Sequence, residues 1–164
     1  MVLCYSRNKC ATVVDREDGS LLVRAGVEDT LFTGAVEMVV RVPDLEIVSV
    51  EGEVRRAFHE ECREATSLLH EAVGLRIGSG VNKAINDLVG GPKGCPRLAD
   101  LMLECVDQVI LRFTFPRIKE VQSVKEEDRV EATREMLRQN PALLGSCVAF
   151  APGSSLLRDL EIQR

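Results

Sequence analysis

The 164-residue sequence contains no tryptophan and a single tyrosine, and aromatic residues make up 4% of it. Surfaces that bind single-stranded nucleic acid stack bases on aromatic side chains, for which this chain has little material. Basic residues form no cluster and the net charge at pH 7 is −5, so phosphate binding has no electrostatic support either. We therefore expect no nucleic-acid partner.

The sequence also lacks an apolar run long enough to span a bilayer, and its N-terminus lacks the charged, apolar and small-residue order of a signal peptide. Hydrophobic residues make up 45% of the chain and charged residues 29%, as in soluble globular proteins. The length suits one domain. We expect a single cytoplasmic domain over residues 1–164, with no membrane partner.

No Cys-x-x-Cys motif occurs, which argues against a zinc ribbon and against a thioredoxin-type redox site. Cysteine is nevertheless frequent, with six residues at positions 4, 10, 62, 95, 105 and 147. In a reducing compartment, such a set indicates core packing, metal ligation or redox chemistry before it indicates disulfides. The residues around each cysteine are therefore used to decide whether it is a core residue or a functional one.

The first third of the chain has the pattern of β-strands. Two β-rich runs flank Asp18-Gly19, a pair typical of tight hairpin turns, and two more flank Pro43-Asp44. Polar and apolar residues are mixed along the last run, which indicates a strand with one solvent-exposed face. We expect about four antiparallel strands within residues 10–56, whose charged face is exposed or buried in a homo-oligomer.

Helical periodicity replaces the strand pattern from about residue 60. Gly74 is placed to end the first helix, and two further helices are predicted to start near residues 80 and 96. The last of these is expected to end at about Phe113, and the charged segment 117–138 indicates a solvated helix. Strands followed by helices predict an α+β fold, in which an N-terminal antiparallel sheet is packed by three to four helices.

Three of the cysteines are expected to pack in the interior. Cys105 shares the apolar stripe of its helix with Leu101 and Met102, as a small core residue does. Cys4 and Cys10 lie in the N-terminal strand region, separated by residues 6–9, which suggest a turn. Burial is the commoner state of a free cysteine, so we expect both to be packed.

Cys95 has a different context, the glycine-rich stretch GGPKGCPRL. Proline is favoured at the first helical position, so Pro96 places Cys95 at the N-cap. Unpaired backbone amides and the helix dipole favour a thiolate there, and Lys93 and Arg97 add positive charge. The pattern predicts an activated sulfur that is partly open to solvent, although a sharp turn with a chance cysteine is the alternative.

Cys62 and Cys147 complete the candidate set. Cys62 follows His59 by three residues, a spacing that lets two side chains share a ligand, but it also aligns with apolar residues of its helix. Cys147 lies in a Gly-Ser turn and has little signal alone. If Cys62, Cys95 and Cys147 are ligands, their sulfur atoms must lie roughly 4 Å apart around a metal, or within about 8 Å without it.

Two segments carry a resemblance to a known family: Gly-Leu-x-Ile-Gly at 74–78 and Gly-Gly-x-x-Gly-Cys-x-x-Leu at 90–98. They resemble a prokaryotic domain-of-unknown-function family, number 2889, and the resemblance covers roughly residues 12–152. Cys62, Cys95 and Cys147 match cysteine positions of that family. The family often has histidines at the two positions that Arg97 and Val148 occupy here.

The order of elements is also similar to that of the U-type iron–sulfur scaffold proteins. These have antiparallel strands, a cysteine at a strand-to-helix junction and a cysteine that starts a late helix. The likeness implies a similar fold and a cluster held by three cysteines and a further ligand.

Three functions remain open. The first is an accessory protein that binds zinc or an iron–sulfur cluster through Cys62, Cys95 and Cys147, with His59 as a fourth ligand. The second is a partner-binding accessory domain without chemistry of its own. The third is a thiol enzyme or sulfur carrier that uses Cys95 as its nucleophile. A protein partner and homo-oligomerisation are compatible with all three.

Overall fold

The computed structural model of the chain describes residues 2, 4–42 and 44–160. Two compact units make up the chain, Met1–Leu111 and Arg112–Arg164. The boundary between them falls inside a long helix. The expectation of one domain over residues 1–164 stays a prediction.

The first unit contains a four-stranded antiparallel sheet with the strand order β1-β2-β3-β4. The strands are β1 Arg7–Asp15, β2 Leu21–Asp29, β3 Thr33–Arg41 and β4 Glu46–Arg56. Gly19 has a φ of 79° in the predicted hairpin turn, where the Ser20 amide donates to the Asp18 carboxylate. The predicted sheet is therefore confirmed, while Pro43 of the other expected turn lies outside the described residues.

Five α-helices follow in the described residues: α1 Glu61–Glu64, α2 Val81–Ile85, α3 Pro96–Ser123, α4 Arg129–Gln139 and α5 Ser155–Asp159. A 3-10 helix, Ala65–Ala72, continues α1, and a π-helical turn, Asn86–Gly90, continues α2. The α+β class and the helix starts near 60, 80 and 96 are confirmed. None of the helices among these residues is both long and apolar enough to cross a membrane.

The core of the first unit lies between one face of the sheet and the helices that follow it. Inward positions alternate along β2 and β3, and the same core includes a stripe of α3 that runs from Leu98 to Val109. Cys105 of this stripe is fully buried, and its sulfur lies 3.9 Å from the Val36 carbonyl oxygen. Its predicted place in the core is confirmed.

The second unit has a small core of its own. Met136 and Leu137 of α4 and Leu157 and Leu160 of the C-terminal segment are its buried members. The Arg134 guanidinium of α4 donates to the Leu160 carbonyl of the C-terminal segment at 2.8 Å and so links the two segments. The apolar tail of the sequence thus folds back on α4.

Helix α3 extends to Ser123, so the predicted end near Phe113 was wrong. Its buried stripe stops at Val109, and Pro116 lies inside the helix. The buried stripe therefore ends well before the helix does, and apolar residues that follow it, such as Phe113 and Phe115, are exposed. The first residues of the charged segment 117–138 belong to α3, and most of its second half forms α4.

The expected burial of Cys4 and Cys10 was also wrong, since both are exposed. Residues Arg7–Lys9 belong to β1 rather than to a turn between the two cysteines. Cys10 pairs with Gly26 in the neighbouring strand, on the sheet face opposite the core. A cysteine in a strand is buried only if its side of the sheet is covered, and the sequence does not show which side that is.

Candidate functional site

One end of the sheet gathers the functional candidates of the first unit. Antiparallel pairing brings together the start of β1 at Arg7, the end of β2 at Asp29, the start of β3 at Thr33 and the end of β4 at Arg56. We call this the Asp29 end of the sheet. Both α1 and α3 begin there, because α1 follows β4 after a short loop and Arg97 of α3 contacts Asp29.

The carboxylate of Asp29 is the centre of this end. Its side chain is completely buried, and one oxygen, Oδ2, accepts hydrogen bonds from Tyr5 at 2.8 Å, Arg7 at 2.9 Å and Arg97 at 2.6 Å. The other oxygen, Oδ1, accepts from the backbone amides of Leu31 at 2.8 Å and Phe32 at 2.7 Å. A single carboxylate thus joins β1, β2, the β2–β3 turn and the start of α3.

These bonds decide the charge state of Asp29. Burial raises the pKa of a carboxyl group, but hydrogen bonds from Tyr5, the Leu31 amide, Arg97 and Arg7 outweigh it and hold the pKa of Asp29 well below its usual range. The group is therefore ionised at neutral pH. Arg97 is held further because its guanidinium lies 5.1 Å from the centre of the Phe32 ring.

Cys95 precedes α3 at the position that the sequence predicted. Its carbonyl accepts from the amides of Leu98 and Ala99, and its own amide donates to the Val89 carbonyl at 2.7 Å. The side chain is 7% exposed and belongs to the core of the first unit. The expected opening to solvent was wrong, because the glycine-rich loop folds back on Val89 and Cys95 is buried.

Gly94, which directly precedes this cysteine, has a structural role in the loop. A Cβ atom at position 94 would overlap severely with the Val89 carbonyl oxygen, which is a backbone atom and cannot rotate away. The close approach lets the Cys95 amide reach that same carbonyl. Gly94 is therefore required by the fold of the loop.

Cys62 lies in α1, close to the end of β4. Its amide donates to the His59 carbonyl at 3.2 Å, and the neighbouring Arg63 donates to the Arg55 carbonyl of β4 at 3.1 Å. Cys62 is half-buried, while His59 is exposed and makes an edge contact with the Phe58 ring at 4.6 Å. The fold thus brings Cys62 and Cys95 to the same end of the sheet although they are far apart in the sequence.

Cys147 belongs to the second unit and is exposed. It directly precedes a short 3-10 helix, Val148–Phe150. Backbone amides of Phe150 and Ala149 and the side chain of Ser146 lower the pKa of the Cys147 thiol. The sequence assigned an environment that favours a thiolate to Cys95, and the structure has such an environment at Cys147.

Among the described residues, no three side chains of His, Cys, Asp or Glu are grouped closely enough to hold a metal ion. The predicted ligands His59, Cys62, Cys95 and Cys147 are therefore not assembled as a complete set. Whether they bind a metal, as an iron–sulfur cluster or as zinc, stays a prediction.

A groove of about 380 Å³ crosses the outer face of the sheet, and the sequence did not predict it. Gly26 and Ala35 are among its small residues, and Cys10, Arg24 and Glu53 also line it. The register places Cys10, Gly26, Ala35 and Glu53 in one row across the four strands. A glycine and an alanine in the two central strands leave the middle of that row low. These two small residues are the feature of the sequence from which the groove could have been predicted.

A family model described as "Protein of unknown function (DUF2889)" matches residues 5–111. The chain belongs to this family. The matched segment contains His59, Cys62 and Cys95 and nearly coincides with the first unit, while Cys147 lies beyond it. No curated protein and no solved structure matches the chain. The likeness to U-type iron–sulfur scaffolds therefore stays a prediction.

Proposed function

We propose that this chain is a cysteine-based accessory protein that binds a thiophilic metal or an iron–sulfur cluster, with Cys62 and Cys95 as its principal ligands. The observation that supports the proposal is that both cysteines lie near the Asp29 end of the sheet, Cys62 beside Arg63, which bonds to β4, and Cys95 two residues before Arg97, which bonds to Asp29. Simple core packing does not require two distant cysteines, each at the start of a helix, to be placed at one end of a fold.

The chemistry of the available donors fits a soft metal. Thiolates select zinc and iron–sulfur centres, and an imidazole is a common further ligand. Two thiolates from Cys62 and Cys95 together with the His59 imidazole fill three positions of a tetrahedral metal. The fourth position is then open to a ligand from a partner protein. Metal binding orders side chains that relax when the metal is absent, so the half-buried Cys62 and the exposed His59 are the groups expected to move.

The test is anaerobic purification of the full chain from iron-supplemented and from zinc-supplemented medium, followed by metal analysis and an absorption spectrum. We expect close to one zinc ion or one cluster per chain in at least one medium. Cys62→Ser and Cys95→Ser should each lose most of it, because serine keeps the size of the side chain without the thiolate.

Cys10→Ser is the matched control, because Cys10 is exposed on the opposite face of the sheet. It should keep the metal content of the unmodified protein. Cys147→Ser asks separately whether the cysteine of the second unit contributes. A wild-type protein without stoichiometric metal from either medium contradicts the proposal, provided that its thermal unfolding shows it to be folded.

A second candidate is a partner-binding accessory domain without a metal. The groove on the outer face of the sheet favours it, since a concavity of this size takes a protruding side chain of a partner. A Cβ at Gly26 would touch the Cys10 sulfur at 3.8 Å without a clash, so Gly26→Val fills the groove and leaves the strand intact. In cells lacking the gene, this candidate predicts that Cys62→Ser/Cys95→Ser restores function and that Gly26→Val does not.

A further inference from the structure

Gly26 lies in the interior of β2, where a glycine weakens a strand because it has no side chain to pack. The backbone does not require it: its φ is not positive, and a Cβ at position 26 would make ordinary contacts with Cys10, Gly34 and Ala35 at 3.8 Å or more. The pairing of β2 with both neighbouring strands has no register shift there, so Gly26 marks no bulge. A strand glycine without such a purpose often marks a place where a ligand approaches closely.

Two other strand glycines have reasons inside the fold. A Cβ at position 34 would lie 2.8 Å from the Phe32 ring, and a Cβ at position 52 would clash with the Leu69 side chain. Gly34 and Gly52 thus make room for core residues. Gly26 instead makes room on the outer face of the sheet, in the groove of about 380 Å³.

The floor of this groove is apolar in its middle, where Gly26 and Ala35 lie side by side in the two central strands. An aromatic ring on a neighbouring strand can cover a strand glycine. The row that crosses the sheet from Cys10 to Glu53 contains no aromatic residue, so a ring over Gly26 has to come from a ligand. The volume of the groove lies within the range of small-molecule sites, about 300–1,000 Å³.

The charged side chains that line the groove differ in their pairing. Three ion pairs account for most of them: Arg55–Glu53 at 2.8 Å, Lys9–Glu104 at 2.9 Å and Arg56–Glu28 at 3.9 Å. Arg24 lies opposite Glu37 in β3, yet within the described residues its guanidinium forms neither a hydrogen bond nor an ion pair. A guanidinium can bind a carboxylate through two parallel hydrogen bonds. Arg24 is therefore placed to receive the anionic group of a ligand.

We propose that the groove binds a small aromatic carboxylate, whose ring lies over Gly26 and Ala35 and whose carboxylate is bound by Arg24. The ring covers the apolar floor that the glycine leaves open, and the carboxylate supplies the partner that the guanidinium lacks within the described residues. The inference goes beyond the metal proposal and does not depend on it. It gives the groove a small-molecule ligand in place of the partner side chain of the second candidate function.

The test is a fluorescence titration of the full chain with 2-naphthoate, whose emission can be followed because the chain contains no tryptophan and a single tyrosine. We expect saturable binding with a Kd of about 1 mM or lower. The neutral analogue 2-naphthamide should bind at least about tenfold more weakly, because it lacks the charge that strengthens the hydrogen bonds from Arg24. The saturated analogue decahydro-2-naphthoate, which is not flat, should compete poorly with 2-naphthoate.

Two variants separate the floor of the groove from its cation. Arg24→Gln should lower the affinity for 2-naphthoate to that for 2-naphthamide, and Gly26→Val should abolish the binding of both probes because its side chain fills the floor. Arg16→Gln is the matched control: Arg16 is an exposed cation of the β1–β2 turn, outside the lining of the groove, and its loss should leave both affinities unchanged.

Thermal unfolding shows whether each variant is folded. A wild-type protein that does not bind 2-naphthoate, or that binds 2-naphthoate and 2-naphthamide equally, overturns the proposal. Equal effects of Arg24→Gln and Arg16→Gln, or full binding by a folded Gly26→Val protein, overturn it as well.

Discussion

At the residue scale, Asp29 is the group on which the candidate site depends. It ends β2 in the same alternation that buries Leu21, Val23, Ala25 and Val27, so its side chain enters the core side of the sheet. This alternation was visible in the sequence, yet the sequence does not show which hydrogen-bond donors would meet the carboxylate. Tyr5, Arg7 and Arg97 come from distant segments and converge only in the fold.

The loss of thermal stability at acid pH should reflect the protonation of Asp29. Its pKa is lowered in the folded state, so its contribution is complete above the unfolded carboxyl pKa of about 3.9 and is lost as the pH falls below that value. Asp29→Asn should therefore lower the melting temperature by several degrees at pH 7, and the difference from wild type should shrink below about pH 4. Thermal unfolding followed by circular dichroism between pH 2.5 and 7 measures both (the lower limit is roughly where an ordinary carboxyl is protonated).

Asp107→Asn serves as the control because Asp107 is an exposed carboxylate of α3. It should leave the pH profile unchanged. A difference between wild type and Asp29→Asn that stays constant from neutral to acid pH would mean that the ionic bonds of Asp29 do not stabilise the fold.

The alkylation rates of the six cysteines should follow the burial and the pKa of each thiol. Burial raises the pKa of Cys105 to about 12, so this thiol should resist alkylation until the protein unfolds. Cys147 is exposed and its pKa is lowered, so it should react fastest, ahead of the exposed Cys4 and Cys10. Timed iodoacetamide labelling at pH 7 with peptide mass spectrometry gives the six rates. Labelling of Cys105 in the folded protein as fast as Cys147 would contradict this ranking.

At the element scale, the sequence pattern predicted the strands and helix starts correctly where one face of the element is buried. The strands and the starts of α1 and α3 were predicted for this reason. The length of α3 was not, because its buried stripe ends at Val109 while the helix continues past Pro116. The burial of Cys95 was also missed, since its loop folds back through the close approach of Gly94 to Val89, which no local pattern encodes.

The loop before α3 offers a direct test of that contact. Gly94→Ala would push a Cβ into the Val89 carbonyl oxygen, so the loop must open and the bond from the Cys95 amide must lengthen or break. We expect a loss of unfolding free energy of about 2 kcal/mol or more, above the typical effect of a point substitution. Urea denaturation measures it.

Gly78→Ala is the comparison, because a Cβ at Gly78 meets no atom within 4 Å and the residue has no positive φ. Its effect should stay within about 0.5 kcal/mol, as for ordinary surface substitutions. Equal effects of Gly78→Ala and Gly94→Ala would show that the close approach to Val89 is not a constraint.

At the scale of the whole molecule, the family match and the first compact unit nearly coincide, at residues 5–111 and Met1–Leu111. The first unit has its own core, and the second has a separate small one. The family fold therefore lies in the first unit, together with His59, Cys62, Cys95 and Asp29.

This division predicts an independently folding fragment. Residues 1–123, which keep α3 complete, should unfold cooperatively on heating and show the β-sheet signal of the full chain, because the fragment retains every buried residue of the larger core. Calorimetry and circular dichroism of the fragment measure this. A fragment without a cooperative transition would show that the second unit is required for the first to fold.

The proposed function requires Cys62 and Cys95 to bind one metal centre together at the Asp29 end of the sheet. X-ray absorption at the metal edge of the zinc- or iron-loaded full chain tests this most directly. We predict sulfur ligands at about 2.3 Å, one fewer in each of Cys62→Ser and Cys95→Ser and an unchanged number in Cys10→Ser. Ligands that are only oxygen and nitrogen, a sulfur count that neither substitution lowers, or a folded protein that retains no metal after loading would contradict the proposed function.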